Sequence, residues 1–535
     1  MQPDPTFPVN PAAPQMPLTH LVTSAMQPLI DPALLQLPSE HLFLLMPLLI
    51  VFGGACLAMM VSVFPAFQPR YSVPGIILAS LVGAAASSLV LADGPATALF
   101  GGMYLSDAMT HYSNILFLGA AALVTLVSFR YLERQGLAYS EYYLLVVLSA
   151  LGMMLMASSQ NLIIIFIALE LMSLAVYTLV GFRRNDRRSN EAAVKYYILG
   201  SAASAVLLYG AALLYGATLS VDIREIALRV SVTGSAFNPL ILIGLLCVLI
   251  GFLFKIASVP FHMWMPDVYE GAPTPVTGFM TTGLKAAVFV TLLRVMVSLT
   301  QAPVLTGSVA TSFHTVFWVS ALVTMFLGNI LALQQTNLKR MLAYSSIAHT
   351  GYLLVALTAA PVNPDAYSSV LFYVFIYAVM NLGAFAVLSA ISLPGDSGLE
   401  LNDLSGLASK HPWLATSFAI FLFSMAGLPP TAGFSSKYFL LSSAVQAGET
   451  WLVVFAVICS AIAAYYYLRV MVFMYMKDPV GQVGSAPIKT SKGVVVAVAL
   501  TVVLVLQLGL LPSAAMDRMH KILKGPLHQT AAIAP

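Results

Sequence analysis

Two lysines, Lys255 and Lys285, stand deep inside long apolar runs of this 535-residue chain, and Glu170 stands inside a third. A charge near the centre of a bilayer costs roughly 2.5 to 3.5 kcal/mol even on lenient insertion scales. Several such charges in one chain point to a polar path through a membrane. Lysine and glutamate are also groups that can pass protons.

The elements that must hold these charges follow from composition. The chain is 59% hydrophobic and 8% charged, which no water-exposed globular surface tolerates. Apolar stretches of about 20 residues, each able to cross a hydrocarbon core of about 30 Å, recur near 42–64, 72–92, 110–129, 140–158, 161–182, 190–216, 237–260, 274–300, 311–334, 340–360, 367–393, 412–447, 450–476 and 493–511. The class is an all-α polytopic membrane protein with about 14 transmembrane helices. The 412–447 stretch is too long and too interrupted for one plain helix. Residues 1–38 are proline-rich, lack Lys and Arg, and read as an extension rather than a secretory signal. Cys56, Cys247 and Cys459 lie singly in apolar spans, so neither a metal site nor an iron–sulfur site is expected, and packing is their reading. No phosphate-binding glycine loop is present, so no nucleotide site is expected.

Alternate loops share a side of the membrane. One set carries Arg70, Arg130, Arg134, Arg183, Arg184, Arg187, Arg188, Lys339, Arg340, Lys410, Lys477, Lys489 and Lys492; the other carries only Arg224, Arg229, Arg518, Lys521 and Lys524. The excess of basic residues places the first set in the cytoplasm and both termini outside.

Two stretches depart from plain helix. One runs from Gly251 through Lys255, Pro260 and His262 to Asp267; the other runs from Ser424 through Gly427, Pro429, Pro430 and Gly433 to Lys437. Proline removes a helical hydrogen bond and clashes one turn back, so each helix should unwind there. Unwound backbone at membrane depth must line protein or water. Paired broken helices are the usual trace of an inverted-repeat transporter, with residues 140–300 and 311–476 as the two five-helix halves, 39–139 before them and 477–535 as the last helix and tail. If a helix starts at Thr274-Pro275, Lys285 lies about 16 Å in; Glu170, counted from Asn161, lies roughly 13 Å in. A row of titratable groups along the midplane is geometrically reasonable.

Four blocks carry a family resemblance: Asp186 to Tyr197 with Asn190-Glu191 and Lys195; Phe254-Lys255 to Val276 with Pro260, His262, Trp264, Asp267 and Glu270; Gln335 to Tyr352 with Lys339-Arg340 and His349; and Ala426 to Phe434. Together they resemble NADH-quinone oxidoreductase subunit N, an antiporter-like membrane subunit of bacterial respiratory complex I, over residues 40–511. The resemblance implies two inverted five-helix repeats, each with a broken helix, and proton translocation driven by electron transfer in other subunits. It implies that Glu170 and Lys255 interact, that Lys285 is the central relay lysine and Lys437 the distal one, and that His262 and His349 fall where relay or water-organising groups would help. Burial disfavours the charged form of a lysine and a carboxylate favours it, so a shift of Glu170 could switch Lys255. NADH, flavin, iron–sulfur clusters and quinone are then held by partner subunits, with other membrane-arm subunits and membrane lipid as this chain's neighbours and no nucleic acid. The location implied is a bacterial inner membrane.

Competing readings stay open. A subunit of a multi-subunit sodium/proton antiporter shares the broken-helix plan without a redox partner. A scaffold would use the buried charges as structural ion pairs, which is also the alternative for Glu170, Lys255 and Lys285 individually. Lys437 could cap carbonyls at a break, Glu191 and Lys195 form an ordinary i,i+4 pair, Arg294 and Arg469 read as anchors, and Asp267 and Glu270 as loop-shaping residues. The arginines from Arg183 to Arg188 read as a topology signal beside anionic lipid.

Overall fold

The computed structural model describes residues 39–233, 238–301, 307–479 and 490–529. It divides into two units, Met1–Leu44 and Leu45–Pro535. In the first, the described part is a short helix, Ser39–Leu44; the expected extension at residues 1–38 lies outside the described residues.

In the second unit, 12 helices among the described residues are long and apolar enough to cross a membrane. We label the membrane helices α1 (Met46–Val63), α2 (Pro69–Leu91), α3 (Ala108–Gln135), α4 (Ser140–Ala157), α5 (Leu162–Val180), α6 (Arg187–Thr218), α7 (Pro239–Lys255), α8 (Trp264–Gly271) and α9 (Thr274–Thr300). They continue as α10 (Gly307–Leu333), α11 (Leu338–Ala359), α12 (Asp365–Ile391), α13 (Pro412–Ala426), α14 (Ala432–Gln446), α15 (Thr450–Met476) and α16 (Lys492–Leu510). The 412–447 stretch is thus two helices, and α7 with α8 forms a second interrupted crossing.

Local chemistry sets the helix ends. Asn161 and Asn337 cap α5 and α11 by accepting from the backbone N–H groups two and three residues on. Gly136 and Gly427 end α3 and α13 in the left-handed region, at φ 68° and 86°. α9 begins at Thr274-Pro275, as the proline predicts, but passes through a π turn at Met280–Leu284 before resuming at Lys285. Nothing in the residue pattern signals that turn.

Packing then sorts the helices. Nearly every side chain of α9, α11 and α12 is buried, so these three form the centre, whereas most of α1, α15 and α16 faces outwards. A helix apolar all round belongs in such a centre, and α9 and α11 carry Lys285 and His349 into it. Two short antiparallel bridges tie loops to helix starts: Asn161 with Asp222, and Asn337 with Glu400. Their hydrogen bonds match, Leu162 N to Val221 O at 2.9 Å and Leu338 N to Leu399 O at 2.9 Å. A small hairpin pairs Thr97–Leu99 with Tyr104–Ser106, and a further helix, Pro512–Gln529, occupies the expected tail. Of the cysteines, Cys459 is buried while Cys56 and Cys247 are half-buried.

Candidate proton-relay site

Lys255 is the last residue of α7, placed where the helix stops before Pro260. Its Nζ donates to Ser173 Oγ at 2.9 Å and Tyr177 OH at 3.1 Å, both on α5. The Tyr177 and Tyr196 rings lie 5.4 and 6.0 Å from it. Glu170, one turn before Ser173 on α5, is half-buried, and its Oε1 is enclosed with no hydrogen-bond partner. No Glu170–Lys255 ion pair within 4.0 Å occurs among the described residues. The two groups share a neighbourhood, and hydroxyls stand at the lysine in place of the carboxylate.

Lys285 follows the π turn of α9. Its Nζ donates to Ser346 O and Ser346 Oγ, both at 2.6 Å, on α11. Thr350, the next turn of α11, reaches Ser346 O at 3.2 Å and Ile256 O at 2.9 Å. Ile256 is the first residue past α7, so the first break is hydrogen-bonded to α11, the helix whose Ser346 accepts from Lys285.

His349 stands one residue earlier on α11. Its Nδ1 is 2.6 Å from Tyr373 OH and its Nε2 is 3.3 Å from Tyr467 OH, which in turn bonds Ser345. A neutral imidazole donates through one nitrogen and accepts through the other, a polarity that reverses when a proton passes. The rings of Tyr352 and Tyr377 flank His349 at 5.8 and 5.0 Å.

Lys437, in the second turn of α14, reaches back across the other break. It donates to Met425 O at 3.1 Å and Ala426 O at 3.0 Å, carbonyls freed where α13 stops, and to Ser460 Oγ at 2.8 Å. The Tyr352 ring lies 5.0 Å from its Nζ. A cavity of about 470 Å³ lined by Lys437, Phe434, Tyr438 and Ser460 opens beside it. His262 is not drawn into this set: it is half-buried past the first break, and its Nδ1 has no partner among the described residues.

The contrast with other buried charges is informative. Lys255, Lys285 and Lys437 are only 6, 3 and 8% exposed, and none has a carboxylate within ion-pair distance among the described residues. Lys339, equally buried, pairs with Asp396 at 2.9 Å, and Arg294 grips Asp107 at 2.7 and 2.9 Å. Both carboxylates lie in loops. Burial pushes each one's pKa up, but the Arg294 charge at Asp107, and the Lys339 and Arg183 charges at Asp396, hold them below the usual range. Lys195 pairs with Glu191 at 2.7 Å and with Asp267 at 2.8 Å, and Arg340 pairs with Asp267 and Glu270.

The family model described as NADH:quinone oxidoreductase/Mrp antiporter, transmembrane, matches residues 159–463, the stretch that holds all of these lysines. A relative from Trichlorobacter lovleyi named NADH-quinone oxidoreductase subunit N is 43% identical over 439 residues, 82% of this chain and 88% of its own length. The chain belongs to the NADH-quinone oxidoreductase subunit N family. A chain in the structure of respiratory complex I from Thermus thermophilus with bound aureothin is 35% identical to this family member, with a TM-score of 0.74 over 88% of this chain and 99% of that one. A chain of the Mrp complex from Dietzia sp. shares the fold, with a TM-score of 0.76 at 21% identity over 92% of this chain and 98% of that one.

Sequence reasoning missed the hydroxyl partners Ser173, Tyr177, Ser346, Tyr373, Ser460 and Tyr467. Their one signal is that each is a polar or tyrosyl position inside an apolar span, a signal that many structural residues share.

Proposed function

We propose that this chain is a proton-translocating membrane-arm subunit of NADH:quinone oxidoreductase. It moves protons along Lys255, Lys285, His349 and Lys437, with Glu170 acting on the first. Other membrane-arm subunits of complex I are its neighbours, and electron transfer in other subunits of the complex drives it. NADH, flavin, iron–sulfur clusters and quinone belong to partner subunits. The setting is a bacterial inner membrane, with the arginine-rich loops inside and both termini outside.

The observation that carries this reading is the pairing contrast. A buried charge kept for architecture is paired, because an unpaired one costs too much, and Arg294 and Lys339 follow that rule. The three relay lysines are held by hydroxyls and carbonyls. Those partners still accept a hydrogen bond from a neutral amine, so each lysine can lose a proton without stranding a carboxylate. The tyrosines and serines around His349 supply groups that both donate and accept.

Two inverted repeats, 140–300 and 311–476, are part of the proposal. Each half has an asparagine capping its second helix and bridging to the loop between its third and fourth. Counting each broken helix as one crossing, these bridges fall at opposite ends of the bundle.

The test is to purify the tagged chain in mild detergent, assay flavin, iron and NADH:quinone activity, then follow proton uptake in proteoliposomes. A flavin- and iron-containing complex is expected, and His349→Leu should slow pumping by at least about tenfold with the complex intact. Unchanged pumping would remove His349 from the path. Recovery with membrane subunits but no redox centre would assign the chain to a cation/proton antiporter.

A further inference from the structure

A pocket of about 690 Å³ opens at the end of the bundle where α5 passes into α6, beside Gly395 of the α12–α13 loop. Arg183, Arg184, Arg187, Glu141, Tyr139 and Phe182 are among the residues lining it. Arg183 is only 8% exposed. Its Nη2 donates to Gly271 O at 3.0 Å and lies 3.4 Å from Asp186 and 3.9 Å from Asp396, which leaves Nε and Nη1 enclosed with no partner among the described residues. A buried donor without an acceptor is costly, and more so on a charged group. Arg184 and Arg187 line the same pocket and are exposed. The Tyr139 and Phe182 rings, 6.2 Å apart edge to face, give it an apolar side. α5 ends at Val180 and α6 begins at Arg187, so the pocket stands at the membrane boundary.

We propose that this pocket binds a phosphate-ester anion, the headgroup phosphate of an anionic phospholipid, between the Arg183, Arg184 and Arg187 guanidinium groups. Guanidinium forks match phosphate oxygens two at a time, and the three arginines outnumber the two carboxylates, Glu141 and Asp186, that line the same pocket. The aromatic side takes the glycerol and upper acyl segment. A soluble phosphate ester shares the chemistry of the headgroup, and the source is decided by experiment.

The purified complex, with a photo-crosslinking amino acid in place of the exposed Tyr139, is irradiated in nanodiscs of phosphatidylcholine alone or mixed with phosphatidylglycerol, with and without glycerol 3-phosphate in solution. Phosphatidylglycerol is expected to be labelled in preference. Labelling should fall about fivefold for each of Arg184→Gln and Arg187→Gln. It should rise in Glu141→Gln, a gain that misfolding does not imitate. Displacement of the lipid by millimolar glycerol 3-phosphate would overturn the lipid assignment in favour of a soluble ester. Equal labelling of the two lipids, or labelling indifferent to all three charge changes, would overturn the anion site.

Discussion

Lys285→Met and Asp107→Asn both remove one buried charge, and the structure predicts opposite failures. Asp107 accepts two short hydrogen bonds from Arg294 and caps α3 through Thr110 N at 2.8 Å. Arg294 is 3% exposed, so Asp107→Asn leaves a guanidinium buried without its counter-charge. That costs about 3–5 kcal/mol, or two to almost four powers of ten in the folding equilibrium. Lys285→Met strands no charge. It removes two donors from Ser346, whose carbonyl keeps Thr350 Oγ1 at 3.2 Å, and it relieves the burial of an amine; the net is about 1 kcal/mol. Asp107→Asn should therefore deplete the assembled complex on a blue-native gel. Lys285→Met should leave the complex at wild-type level while abolishing dye quenching in inverted vesicles fed with NADH. The reasoning is refuted if Lys285→Met depletes the complex as severely as Asp107→Asn, or pumps normally.

Three further outcomes follow from the geometry. A Cβ at Gly433 would fall 1.7 Å from Ser424 O, across the second break, so Gly433→Ala should cost at least about 1–3 kcal/mol and cut the assembled complex several-fold; an undiminished gel band would contradict this. Thr324 Oγ1 accepts from Val259 N at 3.0 Å and meets Ser258 Oγ at 3.2 Å inside the first break. Thr324→Val should thus cost about 1–3 kcal/mol and lower the temperature of thermal inactivation of quinone reductase by a few degrees, and an unshifted inactivation curve would count against it. Because the folded-state pKa of Asp396 is depressed by Lys339 and Arg183, its stabilisation is fully present above the unfolded value of about 3.9 and lost as pH falls through the folded one. The wild type should therefore exceed Asp396→Asn in melting temperature by a constant margin from pH 7 to about pH 5, the margin closing below about pH 4; closure between pH 7 and pH 5 would show that Asp396 is not held this way.

Much of the fold was legible because spans are signalled by length and apolarity alone. The two breaks were legible because Pro260, Pro429 and Pro430 interrupt such spans. The lysines and His349 were legible as charges or polar groups where lipid tolerates neither. Their surroundings were not. Ser346 and Tyr467 look like ordinary small and aromatic residues, and the residues Met280–Leu284 carry no local signal of the π turn that precedes Lys285. The place of His262, one of the polar candidates, was also undecided: outside the lysine set, with one ring nitrogen enclosed and unpaired.

What the sequence by itself determined is the class of molecule, an all-α polytopic membrane protein, and the order of its apolar helices along the chain. Only the tertiary structure decided which charges are neutralised. Asp107 and Arg294 are 187 residues apart, and Lys339 and Asp396 are 57 apart. No local pattern distinguishes those paired residues from Lys255 or Lys285. Whether a carboxylate or a hydroxyl meets a buried charge depends on which distant helix or loop packs alongside it.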